Sequence, residues 1–117
     1  MSKIKYTNIP VVEVLDNKLI LSPKAIDMLN ILPGERIVIN YVQVNNEITY
    51  PIIAKSIIFG DPENGNKCSK SNTVLYKGAQ REILTKYGNL FKLESNEKIN
   101  GAFSLISIKE NELNDPE

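Results

Sequence analysis

The sequence predicts a mainly β protein with two short helices, a β-rich α+β fold. Three observations lead to this. Apolar residues fall in short, partly alternating runs rich in Val, Ile and Tyr, such as "RIVINYVQV" at 36–44. Turn-forming residues interrupt the chain at Asp16-Asn17, Pro33-Gly34, Asn45-Asn46 and through "GDPENGNKCSKSN". Helical spacing is confined to two brief stretches, "PKAIDML" and "KGAQREILTKYGNL". With 117 residues, 42% hydrophobic and 24% charged, the composition is that of one ordinary domain able to bury its own core.

Taken in order, residues 1–10 read as an arm leading to Pro10. "VVEVLDNKLIL" reads as two short strands, or one bent strand, about the turn signal at Asp16 to Lys18. Ser22 is suited to cap a helix, because its hydroxyl can accept from an orphan N–H of the first turn. Pro23 fits the first helical position, where a missing donor costs nothing. "PKAIDML" is barely two turns, with Ile26 and Leu29 three apart, and Asn30 can end it in the left-handed conformation. So short a helix must pack on something.

Pro33-Gly34 is a turn pair, and "RIVINYVQV" follows as a strand. Asn45-Asn46 connects it to its partner, "EITYPIIAKSIIF", within which Pro51 implies an edge position or a bulge. The stretch 60–72 reads as a polar loop or linker, and its composition predicts an exposed Cys68 thiol. "TVLY" is a short strand. A second helix should begin near Gly78, with Ala79, Ile83 and Tyr87 on one stripe, Leu84 beside them and Gly88 as its stop. "LFKLE" and "GAFSLISI" close the fold as a strand pair across "SNEKING". The charged last nine residues have no apolar reason to be ordered. This divides the chain into a unit at 1–59, the polar stretch 60–72, a β-α-β-β extension at 73–108 and an acidic tail at 109–117.

The segment Leu19 to Leu21, Ser22-Pro23-Lys24, Ile26, Asn30-Ile31 and Pro33-Gly34-Glu35-Arg36 resembles the swapped-hairpin module of AbrB-like transition-state regulators and MazE-like antitoxins. The resemblance covers roughly residues 10–55. It implies a swapped-hairpin β-barrel in the N-terminal half, completed by strands traded with a second copy, and therefore a homodimer. It also implies DNA binding through basic residues near the short helix. The chain departs from the family there: Leu19 stands where an arginine often lies, and Asp27 where the helix commonly carries a basic residue. The interval from helix to turn is also about one residue short. Lys18 and Lys24 are the basic residues left near that surface, too few for firm binding at physiological salt.

Net charge is zero, yet six basic residues face only Glu82 between Asn66 and Lys92, a local +5 that leaves −5 elsewhere. Lys67, Lys70, Lys77, Arg81 and Lys86 are therefore candidate phosphate contacts, together with Lys18 and Lys24. Ser69, Ser71, Asn72 and Thr73 are candidate hydrogen-bond donors to phosphate oxygens. Tyr76 and Tyr87 could stack on unpaired bases, although their apolar periodicity points more strongly to the core. "NGNKCSKSN" lacks the spacing of a P-loop.

Catalysis is not expected. The chain has no histidine and one cysteine, and Asp16, Glu47, Asp61 and Glu63 sit singly or in polar turns. No cofactor or metal site is indicated. No run of eighteen apolar residues and no signal-peptide pattern is present. The expectation is a cytoplasmic DNA-binding regulator or antitoxin-like homodimer. The alternative is a structural or assembly subunit, for instance a phage virion component, that uses the β-unit for packing.

Overall fold

A computed structural model describes residues 8–32, 34–44, 47–61, 63–69, 71–96 and 98–109, with backbone only for 42–44 and 47–50. Pro33, Asn45-Asn46, Lys70 and most of the acidic tail, on which several expectations fell, lie outside the described residues. The fold is mainly β. Eight antiparallel strands form one curled sheet accompanied by two helices.

The first strands, β1 (Val11–Val14) and β2 (Lys18–Leu21), pair about the Leu15–Asn17 turn, with Val14 opposite Leu19. α1 (Pro23–Leu29) follows, capped by Ser22, whose Oγ accepts from the Ala25 N–H at 3.2 Å. Asn30 ends it at φ 57°, where its N–H returns to the last turn. β3 (Arg36–Val44) and β4 (Glu47–Lys55) make a long hairpin. Pro51 lies opposite Tyr41, next to a register shift between Tyr41 and Gln43, so a bulge accommodates it inside the sheet.

The run "SIIF", expected to prolong β4, is instead a 3₁₀ turn, Ser56–Phe59. The buried Ser56 hydroxyl donates to the Asn64 carbonyl at 2.6 Å, and Gly60, at φ 85°, reverses the chain. Inside the polar stretch lies β5 (Asn66–Lys67), paired with Arg36 and Ile37. β6 (Thr73–Leu75), α2 (Ala79–Thr85), β7 (Leu90–Ser95) and β8 (Phe103–Ser107) complete the fold.

In space the strands run β5-β3-β4-β8-β7-β1-β2-β6. The C-terminal pair β7–β8 is thus inserted between β4 and β1, and one sheet spans both halves of the chain. A bridge between Cys68 and Val74 joins the two ends of that order, which almost closes the sheet into a barrel. Inside lie Leu19, Leu21, Ile53, Leu84, Phe91, Leu93 and Leu105, all fully buried. Each such side chain contributes about 1.5–3 kcal/mol by leaving water. Leu29 and Ile37 are buried and Ile26 packs against the same cluster, so one chain encloses the apolar faces that motivated a strand exchange.

Two local expectations are corrected. The Cys68 thiol is not exposed; it is 4% accessible, because strand alternation turns it inward in one row with Val74, Leu19 and Val14. The helical stripe also differs: Leu84 is fully buried, whereas Ile83 is 42% exposed and Ala79 is exposed. With only seven residues, α2 is oriented by what lies beneath it. Leu84 enters the barrel and Tyr87 stacks on Tyr41 at 5.6 Å, which rotates Ile83 outward.

A candidate nucleic-acid interface

Pairing register decides where the basic residues lie. Lys18, the first residue of β2, is opposite Leu75 of β6. One step from the Cys68–Val74 bridge, Lys67 of β5 falls opposite Leu75 from the other side. Cys68, Val74 and Leu19 point inward, so the adjacent row, Lys67, Leu75 and Lys18, points outward, and all three side chains are exposed. Neighbouring strands are about 4.8 Å apart, which places the two lysines about 10 Å from each other across Leu75.

Lys77 joins them. Tyr76 donates its N–H to the Asn17 carbonyl at 2.9 Å, which holds the residue after it beside the β1–β2 turn, and Lys77 is exposed. Arg81 reaches the same turn from α2: its Nε–H donates to the Leu15 carbonyl at 3.1 Å. The residue is half-buried and anchored, and among the described residues no partner engages its terminal nitrogens. Asp16, in the turn itself, is an exposed countercharge. Among the described residues, no carboxylate pairs with Lys18, Lys67 or Lys77.

The other candidates do not converge here. Lys24 sits in the first turn of α1, after the opposite end of β2. Lys86 directly follows α2, five positions beyond Arg81, and is exposed. Lys70 lies outside the described residues. Ser69, Ser71 and Thr73 spend their hydroxyls on one another and on local backbone: Ser69 and Ser71 Oγ are 2.9 Å apart, and the Thr73 hydroxyl donates to the Ser71 carbonyl at 3.2 Å. They shape the turn that leads into β6.

The tyrosines are likewise structural. Tyr76 is buried, and Tyr87 is half-buried against Tyr41. Burial lifts the Tyr41 phenol well above its ordinary range, with a further push from the Tyr76 hydroxyl; burial raises Tyr76 as well. The buried Tyr41 hydroxyl has no hydrogen bond among the described residues. Burial also raises the Cys68 thiol, which disfavours the reactive thiolate.

Sequence reasoning missed Arg36, whose guanidinium donates to the Gly65 carbonyl at 2.9 Å beside Lys67. It also missed exposed Leu75 at the centre of the lysines. The pairing of β5 with β3 reveals the first, and the pairing of β6 with both β2 and Cys68 reveals the second. No group of three His, Cys, Asp or Glu side chains suited to a metal occurs among the described residues, and no described helix is long and apolar enough to cross a membrane. Comparison with known protein families, with curated proteins and with solved structures finds no match.

Proposed function

We propose that the chain binds the phosphate backbone of nucleic acid, without catalysis, through the outer face of β2, β6 and β5. The observation that carries this reading is the outward row Lys18–Leu75–Lys67, with Lys77 and Arg81 gathered at its edge. Residues separate in sequence thereby form a patch of four cations against Asp16. Such a patch attracts phosphates irrespective of base sequence. A DNA-binding regulator or antitoxin-like factor is the role in which this face and the resemblance agree. Since each chain buries Leu29 and Ile37 and packs Ile26 against the same core, a homodimer in this reading joins two folded chains and presents two such faces.

A salt-titrated duplex-binding assay tests it. Four phosphate contacts give a slope of log K against log salt of about −3.6, from roughly 0.9 counterions released per contact. Lys18→Ala, Lys67→Ala and Lys77→Ala combined should flatten that slope to about −1. An unchanged slope, or no binding by the parent chain at low salt, refutes the reading.

A second reading is favoured by Leu75, 65% exposed in the middle of the lysines. A large apolar side chain there suits a protein neighbour, as in a structural subunit of a larger assembly such as a phage virion. Leu75→Asp abolishing particle incorporation while sparing the fold would support it.

A further inference from the structure

The barrel closes along only part of its length. β3 has nine residues, but β5 pairs with just Arg36 and Ile37. The Cys68 N–H donates to the Glu35 carbonyl, so Glu35 and Ile37 turn their backbone groups toward β5. Strand alternation then turns the N–H and C=O of Ile39 and Tyr41 to the same side, past Asn66, the first residue of the antiparallel β5. Among the described residues nothing pairs with that edge. Across from it the chain leaves β6 toward α2, and between the two walls lies a cleft of about 290 Å³.

Its lining joins the β3 residues Ile37, Val38 and Ile39 to a set of amides. Asn40, Asn64, Asn66 and Gln80 contribute amides, Tyr76 lines it too, and among the described residues no charged side chain does. Amides both donate and accept, as a peptide backbone does. At the closed end Gly65 presses against the Ile37 carbonyl, and any Cβ there would collide with it, so a side chain at 65 could not coexist with β5 pairing. An occupant must therefore enter from the open end, lie extended and continue the sheet where β5 stops.

We propose that this slot receives an extended, proline-free segment of a partner protein, added as a strand to the edge of β3. Strand geometry turns alternate side chains of such a segment outward, into the space between Lys67 and Lys77, both exposed. Acidic residues at those positions complement them, while Asp61 and Glu63 stay in the turn before β5. The site borders the phosphate-binding face and shares Lys67 and Lys77 with it, but its backbone pairing at Ile39 is its own.

The test uses the full chain, isotope-labelled for NMR, and the blocked peptide Thr-Glu-Val-Glu-Thr-Glu-Val as probe. Peptide addition should shift the amides of Ile39 and Tyr41 and slow hydrogen exchange at Ile39 by about tenfold or more. A peptide N-methylated at alternate residues should not bind, and one with Lys for Glu should bind about tenfold more weakly. Gln80→Trp, on an exposed helical position, should fill the slot and abolish binding at unchanged thermal stability. Lack of response at Ile39 at millimolar peptide overturns the proposal, as does equal binding of the N-methylated probe. Equal binding of the Lys peptide overturns the acidic assignment. Concentration-dependent shifts at Ile39 without peptide assign the edge to a second copy instead. Shifts at Ile39 on adding a short duplex assign it to nucleic acid. No duplex binding by the parent chain at low salt while the peptide still binds sinks only the phosphate reading.

Discussion

Removing the Ser22 hydroxyl should destabilise the protein far more than the loss of an ordinary helix cap. Ser22 is fully buried, and its Oγ serves three partners. It accepts from the Ala25 N–H at 3.2 Å and from the Val11 N–H at 2.9 Å, and donates to the Ile9 carbonyl at 2.8 Å. One atom thus caps α1 and ties it to the start of β1. Ser22→Ala removes a cap worth about 1 kcal/mol. It also takes the Val11 N–H's partner in a buried setting, which costs about 1–3 kcal/mol. The combined loss is about 2–4 kcal/mol, a large share of the roughly 5–15 kcal/mol available to a domain. Urea unfolding followed by circular dichroism measures it. With a slope of about 2 kcal/mol per molar, the midpoint should fall by about 1–2 M. Ser71→Ala, an exposed hydroxyl in the turn before β6, should stay within about 0.5 kcal/mol of the parent. A Ser22→Ala loss below about 1 kcal/mol at unchanged slope would refute the three-partner account.

Other consequences are equally direct. Leu84→Ala should cost about 2–5 kcal/mol in thermal unfolding, while Ile83→Ala one position earlier should cost under about 1 kcal/mol; equal losses would contradict the orientation of α2. Native Cys68 should react with a thiol reagent at pH 8 about a hundredfold more slowly than the urea-unfolded chain, since the thiol is buried and its pKa raised. Tyr41 and Tyr76 have folded pKa values above the ordinary 10.0, so their contribution to stability is complete below pH 10 and lost as pH climbs from there toward the folded values. Tyr41→Phe should reduce that alkaline loss in denaturant titrations between neutral pH and pH 11.

Local features of the chain were legible because they depend on near neighbours. Ser22, Pro23 and Asn30 define α1 through capping and backbone preference, and the structure has these features in place. The turn at Asp16-Asn17 and the strands on either side follow from period-two alternation and turn chemistry, as do β7 and β8. Ile83 and Leu84 were harder to separate, because a two-turn helix has too few residues for periodicity to choose a face.

What the sequence determined by itself was a β-rich class, the position of α1 and a basic bias between Asn66 and Lys92. Tertiary structure alone decided that β7 and β8 enter between β4 and β1 and that Cys68 meets Val74. Through those pairings Lys18 and Lys67 become neighbours across Leu75, and β3 keeps an open edge at Ile39. The reason is physical: alternation and caps act over a few residues, whereas strand order minimises exposed apolar area across the whole chain. No short window contains the partner that a strand will find.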